Sequence, residues 1–452
     1  MSKRYGTEFD IISEYEKDPT NNIISSSSTQ ESEEQTLDAD FVGLIPIDSI
    51  GKLQSLSAYK YYMPLENYLE NNAIWNALPD DFKSLFEIDG HIYAIPTSVF
   101  REQYTRIIYN EALQETGITV IDLDSFRDFA VTYVQESGKS VSSYWSTDVI
   151  DILNAFGLYP GTDPYSPFNY DPIEGCYVDW MTKPAAVDAL EYLRELYDAG
   201  ALALPPQDRV EQLFQDGTFA SKYDPYYDYD DCTEVLTLNS EYPQALFTTV
   251  SGFAMTEDTP QPQETVNLLV DMFFGSAENY LECRLGSSDN YTLNSDGTIT
   301  IKMTQDSDGN YVAPCMPNLA GELSDIFSYT GADILYSING VVTEESKTNA
   351  ENYSARLELL EESLENGTVV EIPPKYQIIE SATYDANLAD SKGPVGFTYL
   401  IFFEFAINRS ATGKTVQQWL DQYKEKMLAE GGNQMLDEMN AAIGKKTAYY
   451  YG

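Results

Sequence analysis

The only histidine of this 452-residue chain, His91, lies in the stretch EIDGHIYAIPTSVF (87–100). Hydrolases of the Ser-His-Asp and Cys-His types need a histidine base, and this residue is the one candidate for that role. It follows Asp89 and Gly90, a residue pair that forms tight turns between strands. The pattern therefore predicts a solvent-facing histidine at a sheet edge and not a catalytic base.

A phosphate-binding loop is suggested by NRSATGKT (408–415), whose last three residues match that motif. The motif needs an earlier glycine, and Asn408 occupies that position. Thr415 is placed to cap the helix that follows. The segment therefore indicates the start of a helix, and nucleotide binding is not expected.

Carboxylates are abundant, with 73 Asp and Glu against 26 Lys and Arg, for a formal net charge of -47. Such a charge repels a phosphate backbone or an anionic membrane, which argues against nucleic acid as a partner, and it would attract a cationic ligand. Glycoside hydrolysis needs only two carboxylates, so Asp224 and Asp228 leave a glycosidase open as an alternative. Asp306 and Asp308 are near enough in sequence to suggest calcium, but the spacing is wrong for an EF-hand, and a turn is the preferred interpretation.

Tyrosines are concentrated in KYDPYYDYDD (222–231), which holds four of the chain's 35. Aromatic rings with a hydroxyl tip stack on the apolar face of a pyranose, while carboxylates accept hydrogen bonds from its hydroxyls. The segment therefore predicts a sugar-binding surface. The alternative is that these tyrosines pack beneath a loop.

The chain has four cysteines without a CxxC pair, so a structural zinc site is not expected, and disulfide pairing stays open. No cofactor is expected. It has no run of about 18 apolar residues, and the start MSKRYGTEFD lacks an apolar signal core and a lipid-attachment cysteine. We expect either a cytoplasmic chain or one whose export segment is absent from this sequence.

Three segments have the apolar spacing of helices: 183–200, 262–274 and 413–432. In the last of these, Thr415 and Gln418 have capping-box spacing. The run ADFVGLI (39–45) predicts a strand buried in a parallel sheet, and 291–314 predicts a hairpin-rich insertion with two Asp-Gly turns. Helices and strands mixed without a fixed repeat indicate an α/β architecture with more than one sheet.

Six stretches carry a family resemblance, and they are MPLENYLENN (63–72), EIDGHIYAIP (87–96), IIYNEALQETGIT (107–119), LFQDGTFASKYDPYY (213–227), FAMTEDTPQPQETVNLLVDMFF (253–274) and INRSATGKTVQQWLDQYKEKM (407–427). In this order and spacing they resemble the extracellular solute-binding proteins of ABC importers. The resemblance is to the sugar-binding class (family 1) that includes maltose-binding protein and the lipoprotein receptors of Gram-positive bacteria.

The resemblance implies an α/β, two-lobed periplasmic-binding-protein fold (type II, Venus-flytrap) with crossing hinge strands and a helical C-terminus. The expected N-terminal lobe comprises 1–100 and 252–315, with its first strand and helix missing, and the C-terminal lobe comprises 101–251 and 316–452. The implied function is capture of a carbohydrate between the lobes and its delivery to an ABC transporter permease, with no catalytic step. The protein is expected to be a monomer outside the cell membrane, lipid-anchored in its full-length form.

The resemblance also implies ligand contacts, carried over position by position. They follow the first-lobe strand, the first crossing between lobes, the start of the second lobe, the Asp-Pro pair of the tyrosine-rich segment, and the region before the last helices. The residues are Ile45, Asp48, Arg101, Glu102, Tyr104, Tyr144, Trp145, Asp224, Tyr226, Tyr227, Phe397 and Tyr399.

Three alternatives remain open at this stage. A peptide or amino-sugar receptor of the same fold would use the acidic charge to attract its ligand. A polysaccharide-degrading enzyme would place two carboxylates about 5 to 10 Å apart across a cleft. A receptor fold that no longer binds solute would act as a surface interaction module.

Overall fold

The structure is a computed structural model. It describes residues 44–47, 62–88, 90–102, 104–161, 167–206, 209–224, 231–239, 241–257, 259, 261–276, 279, 289–293, 295, 299–305, 311–312, 334–338, 341–342, 358–373, 376, 381–389, 403, 406–407 and 413–452. Two compact units are present: Met1–Val99 with Val250–Ala355, and Phe100–Thr249 with Arg356–Gly452. The chain passes between the units near residues 99, 249 and 355.

The strands are β1 (Leu44–Ile47), β2 (Glu87–Ile88), β3 (His91–Ile92), β4 (Ala94–Glu102), β5 (Thr105–Tyr109), β6 (Ser142–Ser143), β7 (Phe168–Asp171), β8 (Cys176–Asp179), β9 (Leu202–Ala203), β10 (Ser221–Asp224), β11 (Cys232–Val235), β12 (Gln244–Met255), β13 (Tyr291–Leu293), β14 (Ile299–Gln305), β15 (Tyr311–Val312), β16 (Ile334–Ile338), β17 (Val341–Val342) and β18 (Val369–Ile372).

The α-helices are α1 (Glu66–Leu69), α2 (Ala73–Asn76), α3 (Asp80–Lys83), α4 (Asn110–Thr116), α5 (Leu123–Ser137), α6 (Ile150–Ala155), α7 (Ala186–Asp198), α8 (Val210–Gln215), α9 (Pro262–Val270), α10 (Ala382–Ala389), α11 (Val416–Ala429) and α12 (Gly432–Ala442). A 3₁₀ turn, Ser146–Val149, precedes α6.

In the first unit, β1 pairs antiparallel with the end of β12, with Leu44 opposite Met255. The predicted strand at 39–45 was expected in a parallel sheet, and this direction is wrong for its described part, while residues 39–43 lie outside the described residues. A short apolar run indicates that a strand is buried, but it does not indicate whether the partner strand is parallel or antiparallel. The core of this unit is built from Trp75, the predicted face of α9 and neighbouring side chains.

The insertion predicted from the Asp-Gly turns forms antiparallel pairs of β14 with β13 and with β15. Strand β16 then pairs in parallel with β14, with Ile334 opposite Ile299. Strands β14 and β16 both belong to the first unit. The sequence does not show that the chain returns to the insertion after residue 316.

In the second unit, β5 lies between β10 and β11, and both pairings are antiparallel. The three predicted helices are confirmed as α7, α9 and α11, and Thr415 and Gln418 form the predicted reciprocal cap of α11. Helix α7 ends before Gly200, whose φ of +78° is readily adopted only by glycine. Helices α7 and α11 pack their apolar faces into the large core of the second unit, whereas α9 packs into the core of the first.

Strands β4 and β12 pair with each other; β4 runs from the first unit into the second, and β12 runs from the second back into the first. No helix in the described part of the chain combines the length and the apolar character needed to cross a bilayer.

Candidate functional site

His91 lies on the hairpin formed by β2 and β3, where the register Ile88 to His91 leaves a two-residue turn and Gly90 has φ +79°. The side chain is exposed, and its Nδ1 lies 2.6 Å from Oε1 of Glu66. The predicted sheet-edge position is confirmed. This histidine is held by a surface carboxylate of the same unit.

The described candidate contacts of the second unit are grouped around the start of β5 and the end of β10. Tyr104 directly precedes β5, and the strand register places Asp224, the last residue of β10, opposite Thr105. The Tyr104 ring is half-buried and lies 5.2 Å, centroid to centroid, from the buried ring of Tyr223. Antiparallel pairing thus brings Tyr104 and Asp224 to adjacent strand ends.

A buried polar group lies beneath this aromatic pair. The Arg106 side chain is fully buried, and its Nε and Nη2 donate to the two carboxylate oxygens of Asp151 at 2.9 and 2.5 Å. Its guanidinium carbon lies 5.7 Å from the centre of the Tyr223 ring. Burial raises the pKa of the Tyr223 hydroxyl, which therefore stays protonated, and no hydrogen-bond partner meets that hydroxyl among the described residues.

The segment that carries Tyr144 and Trp145 packs close to β10 through β6 and the 3₁₀ turn. Trp145 is half-buried, and its indole N–H donates to the Pro205 carbonyl at 2.9 Å. Tyr144 lies in the core, 2% exposed, with its ring edge-on to Tyr197 at 5.3 Å. Trp145 therefore has a surface available to a solute, whereas the side chain of Tyr144 does not.

Asp148 adds a carboxylate in the 3₁₀ turn. Its Oδ2 accepts a hydrogen bond from the Ser143 hydroxyl. Burial raises the pKa of Asp148, while the Ser143 bond and the nearby Arg106 charge oppose that rise. The group is half-buried and adjoins the same strand ends.

The other predicted contacts have less structural description. Ile45 lies on β1 of the first unit, and Arg101 and Glu102 lie on β4, with only their backbone described. Five others lie outside the described residues, and they are Asp48, Tyr226, Tyr227, Phe397 and Tyr399. Asp306 and Asp308, considered for calcium, also lie outside them.

Two residues of this site, Arg106 and Asp151, were not predicted from the sequence. The signal that was available is a lone arginine within the apolar strand TRIIY (105–109). Within the described ranges, no cluster of three or more side chains suited to binding a metal ion is found.

Comparisons with known proteins give a family match and a fold match. A family model described as bacterial extracellular solute-binding protein matches residues 7–284, more than half of the chain. No curated protein matched the sequence.

Among solved structures, the alginate-binding protein AlgQ2 is 15% identical, with 86% of this chain and 83% of that chain covered, and its TM-score of 0.53 shows a shared fold. The cyclic alpha-maltosyl-1,6-maltose binding protein from Arthrobacter globiformis is 13% identical over 86% of this chain and 84% of that chain, with a TM-score of 0.44.

Proposed function

Because the chain belongs to the bacterial extracellular solute-binding proteins, we propose that it captures a carbohydrate, and specifically an oligosaccharide, and passes it to an ABC transporter permease. The fold is the two-lobed α/β fold of that family. The observation that carries the carbohydrate assignment is the half-buried Tyr104 ring on Tyr223, beside the strand end where Asp224 leads into the tyrosine-rich segment. An aromatic face next to carboxylates suits the apolar face and the hydroxyls of a sugar.

Between a neutral and an anionic oligosaccharide, the charge of the chain favours the neutral one. AlgQ2, which shares the fold, is named for binding alginate. The formal net charge of -47 disfavours the approach of an anionic polymer at long range. Among saccharides, we therefore place neutral oligosaccharides ahead of an alginate oligosaccharide.

The residues predicted from the sequence, apart from Tyr144, whose side chain is buried, are proposed as the ligand contacts, with Tyr104, Trp145 and Asp224 contributed by strand ends and turns of the second unit. Strands β4 and β12 connect the two units, and such connections permit a hinge. A ligand that contacts both lobes stabilises the closed form, because those contacts exist only there. The closed form would then be recognised by the permease, and no bond of the solute is made or broken.

The family is extracellular, and we propose that the native protein works as a monomer at the outer face of the cell membrane, held there by a lipid anchor. Release of the protein into the medium after removal of the anchor would support this extracellular placement. Retention of the protein in the cytoplasm after expression from the native gene would contradict the placement.

A thermal-shift screen tests the proposal with maltose, maltohexaose, cellobiose and an alginate oligosaccharide. A ligand at 100 times its dissociation constant stabilises the native state by about 2.7 kcal/mol, so at least one saccharide should raise the melting temperature in a concentration-dependent way. No shift with any saccharide would contradict the carbohydrate assignment.

Replacing Tyr104 by alanine tests the aromatic surface. We expect a loss of about 1 to 3 kcal/mol of binding free energy, because one stacked ring is removed. Tyr109→Ala is the matched control, since Tyr109 is also half-buried and stacks on an aromatic ring, Phe214, but at the other end of β5. Equal affinity of the two variants would reject the role of Tyr104.

The same screen separates the alternatives. The acidic charge favours a cationic peptide or an amino sugar as the second candidate, and glucosamine and a lysine-rich peptide belong in the panel. A glycosidase would release chromophore from a nitrophenyl glycoside, which a binding protein would not do.

A further inference from the structure

The guanidinium group of Arg106 uses all five of its N–H donors. Two donate to Asp151 as described above, and a third, on Nη2, donates to the Asp148 carbonyl at 2.8 Å. The two on Nη1 donate to the hydroxyls of Ser142 and Ser221 at 3.2 and 3.4 Å. A planar group with every donor engaged has one orientation, so its position is fixed by the protein.

These bonds join the segments of the second unit that carry the predicted contacts. Arg106, on β5, lies two residues after Tyr104, and Ser221 lies three residues before Asp224 on β10. Ser142 lies three residues before Trp145. One buried cation therefore links three separate stretches of chain that approach the proposed site.

The guanidinium also supports the aromatic pair directly. Its carbon lies 5.5 Å from the centre of the Phe126 ring and 5.7 Å from that of Tyr223, which in turn contacts the ring of Tyr104. Arg106, Phe126 and Tyr223 are all buried, whereas Tyr104 is half-buried. Movement of the guanidinium would change the surface on which Tyr223 rests, and Tyr223 in turn contacts Tyr104.

We propose that Arg106, with Asp151, is the positioning group for the second unit's part of the ligand site. This inference rests on the proposed function, and it assigns to Arg106 no contact with the solute. Buried ion pairs add little net stability compared with apolar residues of similar volume. We therefore assign to this ion pair the role of fixing the geometry of Tyr104 and of the strand ends.

The test compares Arg106→Lys with Arg194→Lys. Arg194 is also buried in the second unit, where it donates to the carbonyls of Ala406 and Lys414, and it is not among the residues of the site. Lysine keeps the charge but loses the planar fork and the stacking. With the tightest-binding saccharide of the four screened, Arg106→Lys should raise the dissociation constant at least tenfold, and Arg194→Lys should stay within twofold of the parent protein.

A second arm needs no ligand. With Tyr104 replaced by 3-fluorotyrosine, Arg106→Lys should shift or broaden the fluorine resonance, and Arg194→Lys should leave it unchanged. If the parent protein binds no saccharide, the proposed function fails and this arm still decides the positioning of Tyr104. If Arg106→Lys does not fold, the Ser142→Ala/Ser221→Ala double variant, which keeps the ion pair, replaces it. Affinity and resonance unchanged relative to the Arg194 control would overturn the proposal.

Discussion

A buried carboxylate, Asp179, should make the second unit less stable as the pH rises from 4 to 7. Its side chain has no exposed surface, and its Oδ2 accepts hydrogen bonds from the hydroxyls of Tyr423 and Tyr451, both at 2.5 Å. Burial raises the pKa of Asp179 from its ordinary 3.8 to about 6, although the two tyrosine hydroxyls and the Met181 N–H oppose the rise.

The sign of the effect follows from proton linkage. Between the two pKa values the folded protein retains a proton on Asp179 that the unfolded chain releases. The contribution to stability is therefore complete below pH 3.8 and is lost as the pH rises through about 6. At about 1.4 kcal/mol per pH unit across this interval, the loss is about 3 kcal/mol.

The measurement is urea unfolding of the parent protein and of Asp179→Asn at pH 4, 5, 6 and 7, followed by tryptophan fluorescence. A Trp75→Phe background confines the signal to the second unit, which holds the other three tryptophans. The free energy of unfolding of Asp179→Asn should fall by about 3 kcal/mol less than that of the parent protein over this range. Tyr423→Phe should move the pH window upward, because it removes a donor to Asp179. Matching pH profiles of the parent and Asp179→Asn would refute the reasoning.

Two further predictions concern stability. Glu438 is partly buried, which opposes ionisation, but bonds from the Thr383 N–H and neighbouring hydroxyls lower its pKa to about 2, so its contribution is present above pH 4.5 and is lost as the pH falls toward 2. Glu438→Gln should lower the free energy of unfolding at pH 7 by about 1 to 2 kcal/mol in urea titrations, and a variant as stable as the parent would contradict this. Gly252→Ala should destabilise the first unit by about 1 to 3 kcal/mol, because the new Cβ would lie 2.5 Å from the Ile95 carbonyl oxygen. Trp75 fluorescence reports this transition, and an unchanged midpoint would show that the strands can separate at no cost.

Local features of the fold could be predicted from the sequence because their signals are local. The spacing of Thr415 and Gln418 specifies a reciprocal cap, and the Asp-Gly pair before His91 specifies a two-residue turn. The direction of β1 and the return of β16 to the insertion could not be predicted, since they depend on partners far away in the chain.

The residues of the candidate site likewise include some that could be predicted from the sequence and some that could not. Tyr104 and Asp224 were predicted from the family resemblance, and the pairing of β5 with β10 places them at adjacent strand ends. Arg106 was missed because the groups that hold it lie 36 to 115 residues away in the sequence. An isolated arginine in a strand pattern is equally consistent with a buried and with an exposed side chain. Tyr144 and Trp145 are neighbours of the same chemical type, and only packing separates the core ring from the accessible one.

Calorimetric titration of the protein with the four saccharides, followed by mass spectrometry of the recovered ligand, tests the central claim most directly. We predict saturable binding of at least one saccharide with one site per chain, and recovery of that saccharide unchanged. Absence of heat with all four, or recovery of a shortened saccharide, would contradict the account.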